Sequence, residues 1–354
     1  MRDTMSKEDK IKHFNPNAAA LRDSDLFGLP FTADEADMVI VPVPWEVTVS
    51  YGSGTSRGPS HVLECSCQVD LLHPEYPELW KAGIATDAYP EQLELRSAEL
   101  RSRAEAIIER LTDGTDIQSD PVLKAAQEEI NEACEAMNRH VETAAGKLLD
   151  QGKLVGLLGG DHSTPLGFYR AHAARQEAFG ILHIDAHMDF RIAYEGFSYS
   201  HASVMHNALK LPELKKIVQV GIRDYCEEEM QVARRAGSRA DIYFERDNRR
   251  AQFEGTTWSQ ICRRIVDALP GKVHISFDID GLDPTLCPNT GTPVPGGLSY
   301  EEAAYLLSLV AEEREVIGFD LVEVAPGEGD WNGNVGARLL FHLCGVMGRS
   351  RGRC

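Results

Sequence analysis

Acidic and imidazole side chains gather in four short runs of the chain. They are Gly159-Gly160-Asp161-His162-Ser163, Asp185-Ala186-His187-Met188-Asp189, Asp278-Ile279-Asp280-Gly281-Leu282-Asp283-Pro284 and Glu323-Val324-Ala325-Pro326. Asp185, His187 and Asp189 alternate, so on extended backbone they face one side, and the same holds for Asp278 and Asp280. Four carboxylates brought together repel one another and cannot all ionise without compensation. Divalent cations supply that compensation. Two imidazoles among the carboxylates suit borderline ions such as Mn²⁺, Ni²⁺, Co²⁺ or Zn²⁺ better than Ca²⁺. Two such ions sharing bridging carboxylates lower the pKa of a water between them, which makes it a nucleophile near neutral pH.

Each run ends an apolar, β-branched stretch: LVGLL (154–158), GILHI (180–184), VHISF (273–277) and VIGFDLV (316–322). MVIVPVPW (38–45) and IVQVGI (217–222) have the same texture. Stretches apolar on both faces, alternating with helical segments, imply a parallel sheet covered by helices on both sides. The predicted fold class is therefore α/β, a three-layer sandwich with a central, mostly parallel sheet. Sites in such sheets form outside the carboxyl ends of the strands, where all four runs fall. Apolar residues at helical spacing from Val122 to Leu148 predict one long amphipathic helix over about 120–151.

Taken singly, the runs have plainer readings. Asp283 before Pro284 reads as a turn former, and Asp161 as the cap of a helix starting near Ser163. His183, inside its strand, reads as a satisfied core histidine rather than a ligand. Packing alone does not produce four such runs in order, each at the end of a buried stretch.

Together with Ser200-His201-Ala202-Ser203, these runs resemble the ordered signature of the ureohydrolases, arginase and agmatinase among them. The resemblance spans roughly residues 38–346 and includes SYGSGTSRGP, VGIRD and GARLL. It implies that His162, Asp185, Asp189 and Asp278 bind one metal ion. It implies that His187, Asp185, Asp278 and Asp280 bind a second, with Asp185 and Asp278 bridging. Two divalent ions per subunit are thus expected, Mn²⁺ as the family default and Ni²⁺ as the alternative. His201 matches the family's proton shuttle, and Glu323 the carboxylate that pairs with the substrate guanidinium. A homo-oligomer, trimer or hexamer, is also implied, of one subunit type or with a paralogous second.

Some positions depart from the family pattern. Glu46-Val47-Thr48-Val49-Ser50-Tyr51-Gly52-Ser53-Gly54 stands where many members have Asp-x-Gly-Thr-Ser-Tyr-Arg-Pro-Gly, so Thr48 takes the place of a glycine. Val-Ala-Pro follows Glu323 instead of Val-Asn-Pro. Trp331 reads equally as a pocket wall or as a surface or subunit contact. In arginases the loop before the shuttle histidine carries Asn and Ser groups that hold the amino acid's charged end. Here residues 190–200 are bulky and aromatic. A site without those partners rejects arginine. Thr48 and the bulky loop point to free guanidine, a short alkylated guanidine or a biguanide such as metformin, cleaved to urea or a urea-like product plus ammonia or amine. The runner-up is agmatine or an ω-guanidino acid, with Arg191 as carboxylate partner; the plainer role for Arg191 is a surface salt bridge.

The net charge of −19 argues against nucleic acid, whose phosphates want Lys and Arg. The first residues are charged and lack an apolar stretch, and no run approaches a membrane span, so neither signal peptide nor membrane is expected. With scattered cysteines, 8 in all, this predicts a cytoplasmic protein with reduced thiols. Residues 1–36 read as an N-terminal arm and 37–354 as a single catalytic domain. Two other readings compete: a one-metal amidohydrolase or deacetylase, and a non-catalytic subunit supporting an active partner. His187 and Asp280 speak against the first, and the complete ligand set against the second.

Overall fold

The structure is a computed structural model that describes residues 5–20 and 25–353. Residues 1–4 and 21–24 of the predicted arm lie outside the described residues. Eight strands form one sheet: β1 (Met38–Val43), β2 (Ile84–Thr86), β3 (Leu154–Gly159), β4 (Phe179–Ile184), β5 (Leu214–Ile222), β6 (Ala240–Phe244), β7 (Lys272–Asp278) and β8 (Glu315–Val322). Their order is β2-β1-β3-β8-β7-β4-β5-β6, and every neighbouring pair is parallel.

The six apolar stretches all become strands, because segments buried on both faces need apolar residues at every position. β1, β3 and β4 are buried throughout. The edge strands β2 and β6 escaped the sequence reading for the complementary reason. β2 has three residues, and β6 is only half-buried along its whole length.

The long helix runs Pro121–Asp150, as the periodicity predicts. Asp120 caps it by accepting the N–H groups of Val122 (2.9 Å) and Leu123 (3.2 Å), and Pro121 needs no donor at its first position. A second long helix, Glu91–Thr112, was not foreseen. It is strongly charged and buries only Ser97, Leu100, Ala104 and Ile107, too narrow a stripe to stand out from its sequence.

Described parts of the segment before β1 pack on the domain. Leu26, Phe27, Leu29 and Phe31 are buried in the main core. Lys10, in the helix Lys7–His13, reaches Pro30 O at 3.0 Å and pairs with Glu35 at 3.1 Å. Among the described residues no helix is long and apolar enough to cross a membrane, and no cysteine forms a disulfide.

One consequence of the topology matters most for the site. The four strands that carry the chemical runs, β3, β8, β7 and β4, are consecutive neighbours at the middle of the sheet. Being parallel, they deliver all four runs to the same edge.

Candidate metal centre and substrate pocket

β3 leads into Gly160, whose N–H donates to Val43 O at 2.9 Å. A Cβ at Gly160 would lie 2.1 Å from Trp45 O, so only glycine lets this turn press against the end of β1. The turn presents His162, which is 1% exposed. Asp161 does not cap a helix at Ser163. The next helix begins at Leu166, and Asp161 Oδ1 instead accepts the Ser163 N–H at 2.9 Å inside the turn. Asp283 does form the expected turn, accepting the Thr285 N–H at 2.9 Å.

A buried hydrogen-bond chain fixes the His162 ring. Ser276 donates its hydroxyl proton to Asp320 Oδ1 (3.0 Å), so its oxygen must accept from His162 Nε2 (2.9 Å). In the neutral ring His162 Nδ1 carries the lone pair, and that atom has no hydrogen-bond partner. Asp185 Oδ2 lies 2.9 Å from it, and Asp189 Oδ2 and Asp278 Oδ2 each 3.2 Å. Burial would lower this imidazole, but Asp185, Asp278 and Asp189 outweigh it and hold it well above its usual range, so the spot demands positive charge, from a proton or from a cation.

A second set stands alongside. His187 Nδ1 is 3.1 Å from Asp280 Oδ2 and 3.4 Å from Asp185 Oδ1. Asp185 therefore turns one oxygen to each set. Asp278 faces His162, and its bridging role rests on the family resemblance.

The electrostatics agree with this donor set. Burial, and then the neighbouring carboxylates, hold Asp189, Asp278 and Glu323 well above the usual carboxylate range. Burial alone would lower His187, but Asp280 and Asp185 outweigh it and push the imidazole up to about 12. Four carboxylates and two imidazoles with an orphaned ring nitrogen fit a pair of divalent cations.

Among the described residues, two of the four non-glycine positions with left-handed backbone are Asp189 (φ 55°) and Glu323 (φ 65°). Such conformations cost free energy and persist where surrounding contacts impose them. Glu323, 4% exposed, is held through Oε1, which accepts the His162 N–H at 2.9 Å. Its Oε2 has no partner. Glu323 lines a cavity of about 390 Å³ together with His162, His187, Asp189, Asp278 and His201.

His201 follows a capping serine, whose Oγ lies 3.2 Å from its Nδ1. Burial, and then the neighbouring His187 and His162, push the His201 imidazole down to about 3, so it is neutral near pH 7. It also bonds to the Thr48 backbone.

The structure separates the expected substrate contacts. Arg191 lines the cavity, its guanidinium stacked 4.4 Å from the Tyr194 ring. Thr48 is fully buried and outside the cavity lining; from its loop, Ser50 and Tyr51 reach the cavity. Trp331 is 55% exposed, lies outside the lining and donates its indole N–H to Thr285 O at 3.0 Å. Of the bulky loop, Arg191 and Tyr194 face the cavity, whereas Phe190 and Phe197 are buried in the core.

Three supporting features escaped the sequence reading. His183 is buried, as expected of a core histidine, but it acts on the site. Gln219 Nε2 donates to Met188 O (2.7 Å) and lies 2.9 Å from His183 Nδ1, so Nδ1 must accept. Nε2 then carries the proton and donates to Asp185 Oδ2 at 2.8 Å. With both ring nitrogens committed, His183 orients a ligand and is not one itself. Asp320, held by Ser276, by Tyr169 and by His274 at 2.7 Å, anchors the chain behind His162. Buried Glu46 accepts the N–H groups of Gly54 and Ser56, tying down the loop that carries Ser50 and Tyr51. The available signal was a polar residue inside an apolar stretch: His183 in β4, Ser276 in β7, Asp320 in β8.

Comparison with known proteins gives this site its context. The family model described as "Arginase family" matches residues 36–345. The chain is 33% identical over 320 residues to an N(1)-aminopropylagmatine ureohydrolase of Thermus thermophilus, covering 90% of this chain and 93% of that protein. It is 29% identical over 322 residues to an agmatinase of Neisseria meningitidis, covering 89% of each. Its fold superposes on the agmatine ureohydrolase of Thermoplasma volcanium with a TM-score of 0.68 at 23% identity, over 97% of this chain and 98% of that one. Enzymes of this family are binuclear, metal-dependent hydrolases that act on small cationic guanidino substrates. The chain belongs to the arginase family, and is a ureohydrolase that cuts C–N bonds of linear amidines.

Proposed function

We propose that the substrate is free guanidine or a short alkylated guanidine, a biguanide such as metformin included, cleaved to urea or a urea-like product plus ammonia or amine. The observation that carries this reading is Glu323 Oε2, a buried carboxylate oxygen without a partner in the wall of the cavity. A planar guanidinium satisfies such an oxygen with charge-assisted hydrogen bonds. When bound, a pair of divalent ions supplies an activated water. The chain's own residues do the rest. Glu323 orients the cation, His201 is neutral and able to take up and pass on a proton, and Arg191 and Tyr194 narrow the cavity. Among the described residues Arg191 is the only Lys or Arg in the lining, and it disfavours a second positive charge beside it. For the native ions we favour Mn²⁺ or Ni²⁺, on the mixed oxygen and imidazole donor set.

A second reading, hydrolysis of agmatine or a longer amine-tailed guanidine, has its own support. The two relatives above carry agmatine-type names. The cavity also lies within the ~300–1,000 Å³ usual for ligand pockets, and Asp224 on its wall offers a counter-charge to a distal ammonium. An ω-guanidino acid would instead place its carboxylate near Arg191.

A urea-release panel with Mn²⁺-loaded and Ni²⁺-loaded enzyme decides between these readings. Guanidine or a short alkylated guanidine with the highest kcat/KM supports the first. Agmatine or aminopropylagmatine with the highest value replaces it with the second.

A further inference from the structure

Another group of ligand-type side chains converges away from the pocket, on residues the reaction does not use. His61 and Cys65 sit four apart on the helix Gly58–Ser66, and Asp330 precedes the helix Trp331–Ser350. One potential ligand atom from each lies within 4.8 Å of the others. A spacing of four places two side chains on one helical face, the arrangement by which a helix offers a paired ligand to a metal.

Three observations point to a missing occupant, and a fourth shows the donors converging. His61 Nε2 is shielded from solvent and has no hydrogen-bond partner. Cys65 is 7% exposed, and its sulfur has one weak contact, 3.8 Å to the Asp330 backbone oxygen. Asp330 occupies the N-cap position of its helix, yet its side chain makes no capping bond, which leaves the carboxylate uncommitted there. Finally, a Cβ at Gly333 would lie 2.6 Å from Cys65 Sγ and 2.7 Å from His61 Nε2. Both donor atoms thus converge on the backbone of Gly333, a close approach that only glycine permits.

We infer that His61, Cys65 and Asp330 form a separate metal site for a soft divalent cation of the zinc class. A thiolate, an imidazole and a carboxylate are zinc's usual donors, and three protein ligands with the fourth position open to water are a common set. The thiolate separates this site from the catalytic pair, whose donors are oxygens and imidazoles. The exposed Asp330 gives the ion a way in.

Its position suggests what the ion does. The helix Gly58–Ser66 follows the loop carrying Ser50 and Tyr51, and Asp330 ends the loop that starts at Glu323. An ion here ties together the supports of two pocket walls, and so stabilises the folded chain increasingly as the free ion rises above its Kd.

The test uses the full chain with its catalytic site saturated in Mn²⁺ and free metal removed, titrated with Co²⁺. Wild type should take up a further equivalent and show thiolate-to-cobalt charge-transfer absorption in the near ultraviolet. Cys65→Ala should lose that absorption. Asp330→Asn, on an exposed side chain that makes no capping bond, should keep it at about tenfold or greater weaker affinity. No such absorption in wild type, or its survival in Cys65→Ala, overturns the site. Unchanged cobalt affinity in Asp330→Asn overturns it as a three-group site.

Discussion

His183 donates its Nε2 hydrogen to Asp185 Oδ2 across 2.8 Å, and Gln219 fixes the tautomer that makes this possible. Asp185 is the carboxylate that faces both imidazoles, so its orientation serves both metal positions. His183→Ala should therefore weaken metal binding by about 10–100-fold, the usual cost of removing a group that orients a ligand. Calorimetric titration of the apo protein with Mn²⁺ checks this. An affinity like wild type would reduce His183 to a packing residue.

Asp185→Ala should cost more than loss of any ligand that faces one imidazole alone, such as Asp189 or Asp280. The expected outcome is loss of both ions, measured as metal per chain after desalting, with urea release falling to background. One ion retained at full occupancy would contradict the shared role.

Glu323→Gln keeps the shape and removes the charge that matches guanidinium. Hydrogen bonds to charged groups contribute about 1.5–3 kcal/mol, so kcat/KM should fall by about 10–150-fold with metal content unchanged. The Oε1 bond from the His162 N–H survives in the amide, which keeps the backbone in place. Kinetics equal to wild type would remove Glu323 from substrate binding.

His201→Ala should keep both metals and lower kcat by about 10²–10⁴-fold, the range of a positioned proton-transfer group. An imidazole added to the assay should restore part of the rate. A variant with full turnover would end the proton-transfer assignment.

Chelation should make stability fall as pH rises from about 7 to 8.5. In this window the unfolded chain has released the protons of its Asp, Glu and His groups. The folded apo site still holds a proton on His187, pushed up to about 12, and burial with the neighbouring carboxylates shifts Asp189, Asp278 and Glu323 in the same direction. The folded state thus binds more protons, and its stability declines toward the folded pKa values. Mn²⁺ replaces those protons and should remove the slope, so the Tm gap between loaded and apo protein widens with pH. A gap that narrows over this window would show that the cluster is not charge-starved without metal.

The sequence by itself determined the chemistry of the centre and the class of the fold. Strands buried on both faces must be apolar throughout, so β1, β3, β4, β5, β7 and β8 announced themselves, and each acidic run at a strand end stood out against that background. Strand order was another matter. Nothing local tells Gly156 that it will pair with Phe319, or Gly180 with Val273, and it is that pairing which makes the four functional strands neighbours. Tertiary structure also decided which side chains face the cavity. Thr48 and Trp331 lie close in sequence to lining residues yet point elsewhere, while Arg191 and Tyr194 reach in. The groups behind the ligands, His183, Gln219, Ser276 and Asp320, are polar residues on buried strands whose partners lie on other strands. A one-dimensional pattern records that such a residue is polar and buried. Only the fold supplies the atom it was buried against.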